Sequence, residues 1–107
     1  MNPSEVLRYA EWRREVEGLL EDYCRLDAKK ERLYIRACGR TFPALLRGCT
    51  EELKVTLRLS YLAEALEAFE MVGLKLGSIA FTREEGRAVL VQLRGGWLKA
   101  YVAATAE

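Results

Sequence analysis

The sequence predicts an α+β fold in the order helix, two strands, helix, three strands, with the helices packed on a five-stranded antiparallel sheet. A ten-residue pattern (Gly-Arg, six mainly apolar residues, Arg-Gly) occurs at 39–48 and again at 86–95. An apolar helical segment precedes each copy, at 20–23 and 66–69. Each copy has the form of a turn followed by a strand, so the chain is predicted to use one helix-and-hairpin unit twice. We expect residues 1–107 to form a single domain.

The first half of the chain is predicted to hold one helix and one hairpin. The helix is expected over about residues 4–26, where apolar side chains recur at steps of three and four. These are Tyr9, Trp12, Val16, Leu19, Tyr23 and Leu26. Residues 32–37 alternate with period two and predict a strand, which turns at 38–40 and returns over 41–47. Pro43 cannot donate to a sheet ladder, so the return strand should lie at an edge or carry a bulge.

Residues 53–60 fit two structures. They alternate as a strand does, yet they also begin an unbroken helical stripe. The stripe consists of Val55, Leu59, Leu62, Leu66 and Phe69. We favour one helix from Thr50 to Val72, because Thr50 and the two glutamates after it form a reasonable helix start. Gly73 is expected to cap its end.

Three strands are predicted to close the chain. They cover residues 78–83, 87–94 and 97–103. Glu84-Glu85-Gly86 and Gly95-Gly96 form the hairpin turns between them. The two glutamates are adjacent at a turn, so we interpret them as a solvated hairpin tip rather than an acid and base pair.

Composition indicates a cytoplasmic protein. Cys24, Cys38 and Cys49 are odd in number and lack close pairing, which favours reduced thiols over a disulfide framework. No apolar run is long enough to span a bilayer, and the first residues do not form a secretory signal. Asn2 and Gln92 are the only carboxamides, a scarcity that points to a thermophile.

The sequence lacks the residues from which catalytic and cofactor sites are usually built. It has no histidine, no cysteine pair with metal-ligand spacing, and no glycine-rich phosphate loop. We therefore expect no enzymatic activity, no cofactor and no metal site. Function must then be carried by a binding surface.

Charge is unevenly distributed along the chain. The net charge is −3 over residues 1–28, +5 over 29–58 and −1 over 59–107. In the basic segment, four residues are spaced two apart, so they lie on one side of the predicted strand and of the residues just before it. These are Lys30, Arg32, Tyr34 and Arg36. Cations with an interleaved aromatic are typical of nucleic-acid surfaces, although an ordinary solvent face of a half-buried sheet has the same pattern.

The element order and several local sequences resemble the Roadblock / dynein light chain family. The hairpin at 33–45 is similar to that family's first hairpin, the segment 51–70 to its second helix, and residues 86–103 to its closing hairpin. The resemblance implies a Roadblock-like, non-catalytic domain that dimerises with itself or a related chain and tethers or regulates a Ras-like small GTPase. It implies a dimer interface formed by Val55, Leu59, Leu62, Leu66, Ile79 and Phe81.

Two other hypotheses remain open. If 53–60 is a strand, the chain becomes two helix-plus-three-strand units, which resembles the internal duplication of a DNA sliding-clamp domain, with the basic 29–58 segment facing nucleic acid. Clamps carry their cations on helices, however, whereas the first predicted helix is acidic. The third hypothesis is a subunit that only covers a larger partner.

Overall fold

The computed structural model describes residues 7–29, 32–47 and 54–106, which form two α-helices and eight strands. The helices are α1 (Tyr9–Glu15) and α2 (Leu59–Val72), and a 3-10 turn at Glu17–Leu19 follows α1. The strands are β1 (Tyr23–Lys29), β2 (Arg32–Ala37), β3 (Arg40–Thr41), β4 (Leu46–Arg47), β5 (Lys54–Arg58), β6 (Ser78–Arg83), β7 (Ala88–Gly95) and β8 (Leu98–Ala106).

All eight strands belong to one antiparallel sheet with the order β3-β2-β1-β5-β8-β7-β6, and β4 pairs with β2. The predicted five-stranded sheet in a helix–strand–helix layout is therefore wrong. The described chain is mostly strand, with seven strand positions across the sheet. The additional strands come from two segments that the sequence analysis placed in helices.

The first of these segments is 54–58, which we expected inside a helix from 50 to 72. It forms β5 at the centre of the sheet, hydrogen-bonded to β1 on one side and β8 on the other. Val55 and Leu57 are buried, as strand alternation requires. The helix begins only at Leu59, and Gly73 ends it in the left-handed conformation (φ 70°), as predicted. Residues 50–53 lie outside the described ranges.

The second segment is the end of the predicted helix 4–26. The described part of that helix covers only Tyr9–Glu15, and residues 23–29 form β1. Cys24, Leu26 and Ala28 alternate into the core. Because β1 lies between β2 and β5, its backbone is hydrogen-bonded along both edges, and this sheet pairing outweighs the apolar helical stripe.

The first hairpin agrees with the prediction. Strand β2 has the predicted bounds, and the return segment lies at the sheet edge as two short pieces, β3 and β4. Between them Pro43 lacks an N–H, while Phe42 donates to the Ile35 carbonyl (2.9 Å) and Leu45 to the Leu33 carbonyl (2.7 Å). The edge strand is thus interrupted at the proline but stays attached to β2.

The closing strands also lie close to their predicted positions. β6 has the predicted bounds, while β7 and β8 begin one residue later than expected and β8 extends to Ala106. The turn glycines Gly86 and Gly96 have φ values of 67° and 56°. Turn positions with a positive φ are usually occupied by glycine, because a Cβ atom is strained in that conformation.

Both helices pack against one side of the sheet. Trp12 of α1, Val16 directly after α1, and Leu59 and Leu62 of α2 are almost fully buried and belong to the same core as the inward residues of the strands. The opposite side of the sheet carries none of that core. Its side chains determine which surface is available for binding.

Candidate functional site

The side of the sheet opposite the helices carries a concentrated positive charge. On β1, β2 and β5, every second residue points away from the core, and the strand register brings these residues side by side. We call this surface the basic face. It consists of Tyr23, Arg25, Asp27, Lys29, Arg32, Tyr34, Arg36, Lys54, Thr56 and Arg58. Six of these ten residues are cations and only one is an acid.

Register explains why the cations are neighbours. Arg36 lies opposite Arg25, Lys29 opposite Arg32, and Lys54 opposite Asp27. Directly opposed side chains in an antiparallel pair have Cβ atoms about 4.5–5.5 Å apart, and like charges at that spacing repel. Such an arrangement costs stability in the free protein. An anionic ligand would relieve it.

Asp27 is the one carboxylate within the basic face, and it is only 7% exposed. Its Oδ2 atom accepts a hydrogen bond from Nη1 of Arg36 (3.5 Å), while Oδ1 has no hydrogen-bond partner among the described residues. Arg36 also donates from Nε to the hydroxyl of Thr41 (3.1 Å). The carboxylate therefore acts as an internal counter-ion that partly offsets the surrounding positive charge.

Tyrosines are interleaved with these cations. Tyr23 is 63% exposed, and the guanidinium of Arg58 lies 5.9 Å from its ring centre. Tyr34 is half-buried beside Asp27. An exposed tyrosine ring beside a guanidinium offers two planar groups on which a nucleobase can stack.

The same surface continues onto the second half of the sheet. Thr56 of β5 lies opposite Thr105 of β8, so the outward residues of the two halves form one uninterrupted face. On β8, Tyr101 is 57% exposed and its hydroxyl accepts a hydrogen bond from the Gln92 amide (3.1 Å). Lys99 adds a further exposed cation on that strand.

On the helical side, α2 has the opposite charge, whereas α1 is neutral, with two arginines and two glutamates. Helix α2 carries three glutamates (Glu64, Glu67 and Glu70) and no lysine or arginine. The molecule is therefore electrically polarised through its thickness, with the acidic helix on one side and the basic face on the other. An extended anion would approach from the sheet side.

Three residues of this surface belong to the set that the sequence predicts as a possible nucleic-acid face. Arg32, Tyr34 and Arg36 lie together on the basic face, whereas Lys30 falls outside the described residues. The residues contributed by β1 and β5 were missed because both segments were placed in helices. The alternation at 54–58 was the pattern in the sequence that could have revealed them, because it places the cations of that segment on one side only.

The residues predicted to form a dimer interface lie in a different place. Val55, Leu59 and Leu62 are completely buried in the core, and Leu66 is 6% exposed. Ile79 and Phe81 are partly buried against the same core. Val55, Leu59, Leu62 and Leu66 fill the interior of one chain, whereas Ile79 and Phe81 lie on the edge strand β6 and stay partly exposed, so the dimer interface remains a prediction.

Other chemistry is sparse in the described part of the chain. The described residues contain no group of three His, Cys, Asp or Glu side chains that could hold a metal ion. Burial raises the pKa of the Cys24 thiol to about 12, so this cysteine is protonated and unreactive at neutral pH. Cys38 is exposed at the β2–β3 turn, with its Sγ 3.7 Å from an Asp22 carboxylate oxygen.

Among the described helices, neither is long and apolar enough to cross a membrane.

No protein-family model, curated protein or solved structure matches this chain. The function is therefore inferred from the basic face itself.

Proposed function

We propose that this protein is a non-catalytic nucleic-acid-binding domain that holds single strands on its basic face. One observation carries the proposal. The basic face, on the side of the sheet that the helices leave uncovered, presents six cations and two tyrosines against a single, buried carboxylate. Neither the charge nor the aromatics are needed for the core, which lies on the other side of the sheet.

The cations suit a phosphate backbone. Arginine and lysine side chains on neighbouring strands can each neutralise one phosphate and release its condensed counter-ions. If three to six of them do so, the logarithm of the association constant should fall with the logarithm of salt concentration with a slope of about −2 to −4. Binding would also relieve the repulsion between opposed pairs such as Lys29 and Arg32.

The tyrosines favour single strands over duplexes. Stacking of one base on an aromatic side chain is worth about 1–3 kcal/mol and requires an unpaired base. Tyr23 and Tyr101 are more than half exposed and can offer such contacts. A sheet seven strands wide spans roughly 29 Å at the usual strand spacing, which is too broad to enter a duplex major groove of about 12 Å.

The observed fold and charge distribution bear differently on the GTPase-scaffold and sliding-clamp hypotheses. The GTPase-scaffold hypothesis was based on element order, two matching hairpins and missing catalytic residues, and of these the element order differs in the chain. Residues 54–58 do form the strand that the clamp hypothesis required, but helix α2 is acidic and the cations lie on the sheet. A ring that contacts DNA through its helices therefore does not suit this charge distribution.

Fluorescence anisotropy with labelled 12-mers of oligo-dT, oligo-U and a matching duplex tests the proposal. We expect binding to both single strands, weaker binding to the duplex, and a salt slope of about −2 to −4. Replacing Arg32 and Arg36 with Glu should weaken single-strand binding about 10- to 100-fold.

The matched control is the pair Arg83→Glu and Arg87→Glu, which changes the net charge equally at exposed positions near the β6–β7 turn. It should weaken binding less than threefold. Equal losses in both double variants would show that only net charge matters, and absence of binding at low salt would refute the proposal.

A further inference from the structure

Strand β6 forms one edge of the sheet. It pairs with β7 on one side, and no strand in the described part of the chain pairs with it on the other. The opposite edge of the sheet is protected against pairing, because Pro43 separates it into β3 and β4, which are two residues long. By contrast, β6 is six residues long, contains no proline or lysine, and carries its one charge at its last residue, Arg83.

The hydrogen bonds to β7 show which backbone groups of β6 point away from the sheet. The Glu84 N–H donates to the Ala88 carbonyl (2.8 Å), and in an antiparallel pair such bonds recur at every second residue. The even-numbered residues of β6 therefore bond to β7. Ile79, Phe81 and Arg83 direct their N–H and C=O groups to the open edge.

Apolar side chains accompany these backbone groups. Ile79 and Phe81 lie on the core side of the sheet, opposite Leu93 and Val91 of β7, and both are only partly buried. Helix α2 packs mainly on β8 and β5, which lie further inside the sheet. The core thus continues to the edge strand, where part of its apolar surface meets solvent.

We propose that β6 pairs with β6 of a second copy of this chain, so that two sheets become one across a two-fold axis. The inference goes beyond the proposed function and does not depend on it. An antiparallel register centred on Ala80 makes this edge complementary to itself. It places Ile79 opposite Phe81 of the second copy, and each such pair exchanges two backbone hydrogen bonds.

The charges around β6 suit the same register. Arg83 comes opposite Gly77 of the second copy, so no like charges are directly opposed. The exposed Lys75 of one copy is brought to the end where the other carries the exposed Glu84 and Glu85. This dimer differs from the one that the Roadblock resemblance implies, because the backbone of β6 makes the contact and helix α2 does not.

Sedimentation equilibrium on the parent protein is the first test. We expect a reversible dimer with a dissociation constant of roughly 10–100 μM, because one pair of strands buries less than the roughly 1,600 Å² of a stable interface. A protein that is still monomeric at about 1 mM would overturn the proposal.

Cysteine cross-linking tests the register, in a background that carries Cys38→Ala and Cys49→Ala. At a non-hydrogen-bonded position, opposed Cα atoms are about 4.5 Å apart, which is within the range of a disulfide. Ala80→Cys should therefore form a disulfide-linked dimer about tenfold faster than Thr82→Cys, because residue 80 faces itself and Thr82 faces Ser78 of the second copy. Equal rates for the two variants would overturn the proposal.

Charge substitutions at the same two positions give an independent test. Ala80→Lys opposes two lysines and should weaken dimerisation about fivefold, whereas Thr82→Lys, on the same side of β6, should change it less than about twofold. Mixing Ala80→Lys with Ala80→Glu should restore dimers, and circular dichroism checks that each variant folds. Equal losses in the two lysine variants, or a mixture that stays monomeric, would contradict pairing through β6.

Discussion

Asp27 is the residue on which the basic face depends most. Its carboxylate is almost fully buried among cations, with one oxygen near Arg36 and the other without a hydrogen-bond partner among the described residues. A buried carboxylate with one unpaired oxygen is costly unless nearby positive charge stabilises it. Asp27 therefore limits repulsion within the basic face and lowers the charge that the surface presents to a ligand.

Asp27→Asn tests this role. Loss of the negative charge should lower the free energy of unfolding by about 1–3 kcal/mol, because the neighbouring cations lose their counter-ion. The same loss should tighten single-strand binding about two- to fivefold. Urea unfolding and anisotropy measure the two effects. Asp22→Asn, at an exposed position, is the control and should change neither quantity appreciably. Unchanged stability and binding in Asp27→Asn would contradict the role.

Cys24 gives a second prediction at this scale. Burial raises the pKa of its thiol from 9.0 to about 12, so the folded protein holds the proton where the unfolded chain releases it. Its contribution to stability is present below pH 9 and is lost as pH rises toward 12. Within that window the group can raise the unfolding constant by up to tenfold per pH unit.

The measurement is urea unfolding from pH 8 to 10.5 for the parent and for Cys24→Ala. The parent should lose stability more steeply with pH than the variant. Cys38→Ala, which removes an exposed thiol, should follow the parent. Parallel pH profiles for the parent and Cys24→Ala would show that the buried thiol does not contribute.

At the scale of elements, Gly95 links helix α2 to the sheet. A Cβ at this position in β7 would overlap the backbone carbonyl oxygen of Lys75 and come within 2.9 Å of the Phe69 ring. The segment after α2 therefore lies directly against the strand, and only glycine leaves room for it.

Gly95→Ala should lower the free energy of unfolding by about 1–3 kcal/mol, because backbone cannot move aside as a flexible side chain can. Gly18→Ala is the control, since a Cβ there meets nothing within 4 Å. Thermal and urea unfolding compare the two variants. A Gly95→Ala protein as stable as Gly18→Ala would show that α2 and β7 are less tightly packed than described.

Elements differ in how well the sequence predicted them. Strands β2 and β6 have the predicted bounds because period-two alternation and flanking turns agree there. Strand β5 was missed because Val55 fits both a helical stripe and a strand, and only pairing with β1 and β8 decides between them. Such long-range pairing is not visible in a local pattern. Seven of the ten residues of the basic face, those of β1 and β5, were hidden for the same reason.

At the scale of the whole molecule, charge and architecture are arranged together. The described helices cover one side of the sheet and share its core, and on the other side β1, β2 and β5 present polar residues. Helix α2 is acidic, and the opposite surface carries the cations of three adjacent strands. The proposed function follows from this separation rather than from any single residue.

The most direct test is a ¹⁵N–¹H correlation NMR titration with an oligo-dT 12-mer. We expect the backbone amides of β1, β2 and β5 to shift most, those of β8 to shift less, and those of α1 and α2 to remain nearly unchanged. Shifts centred on α2, or no shifts at low salt, would contradict the claim that the basic face binds single-stranded nucleic acid.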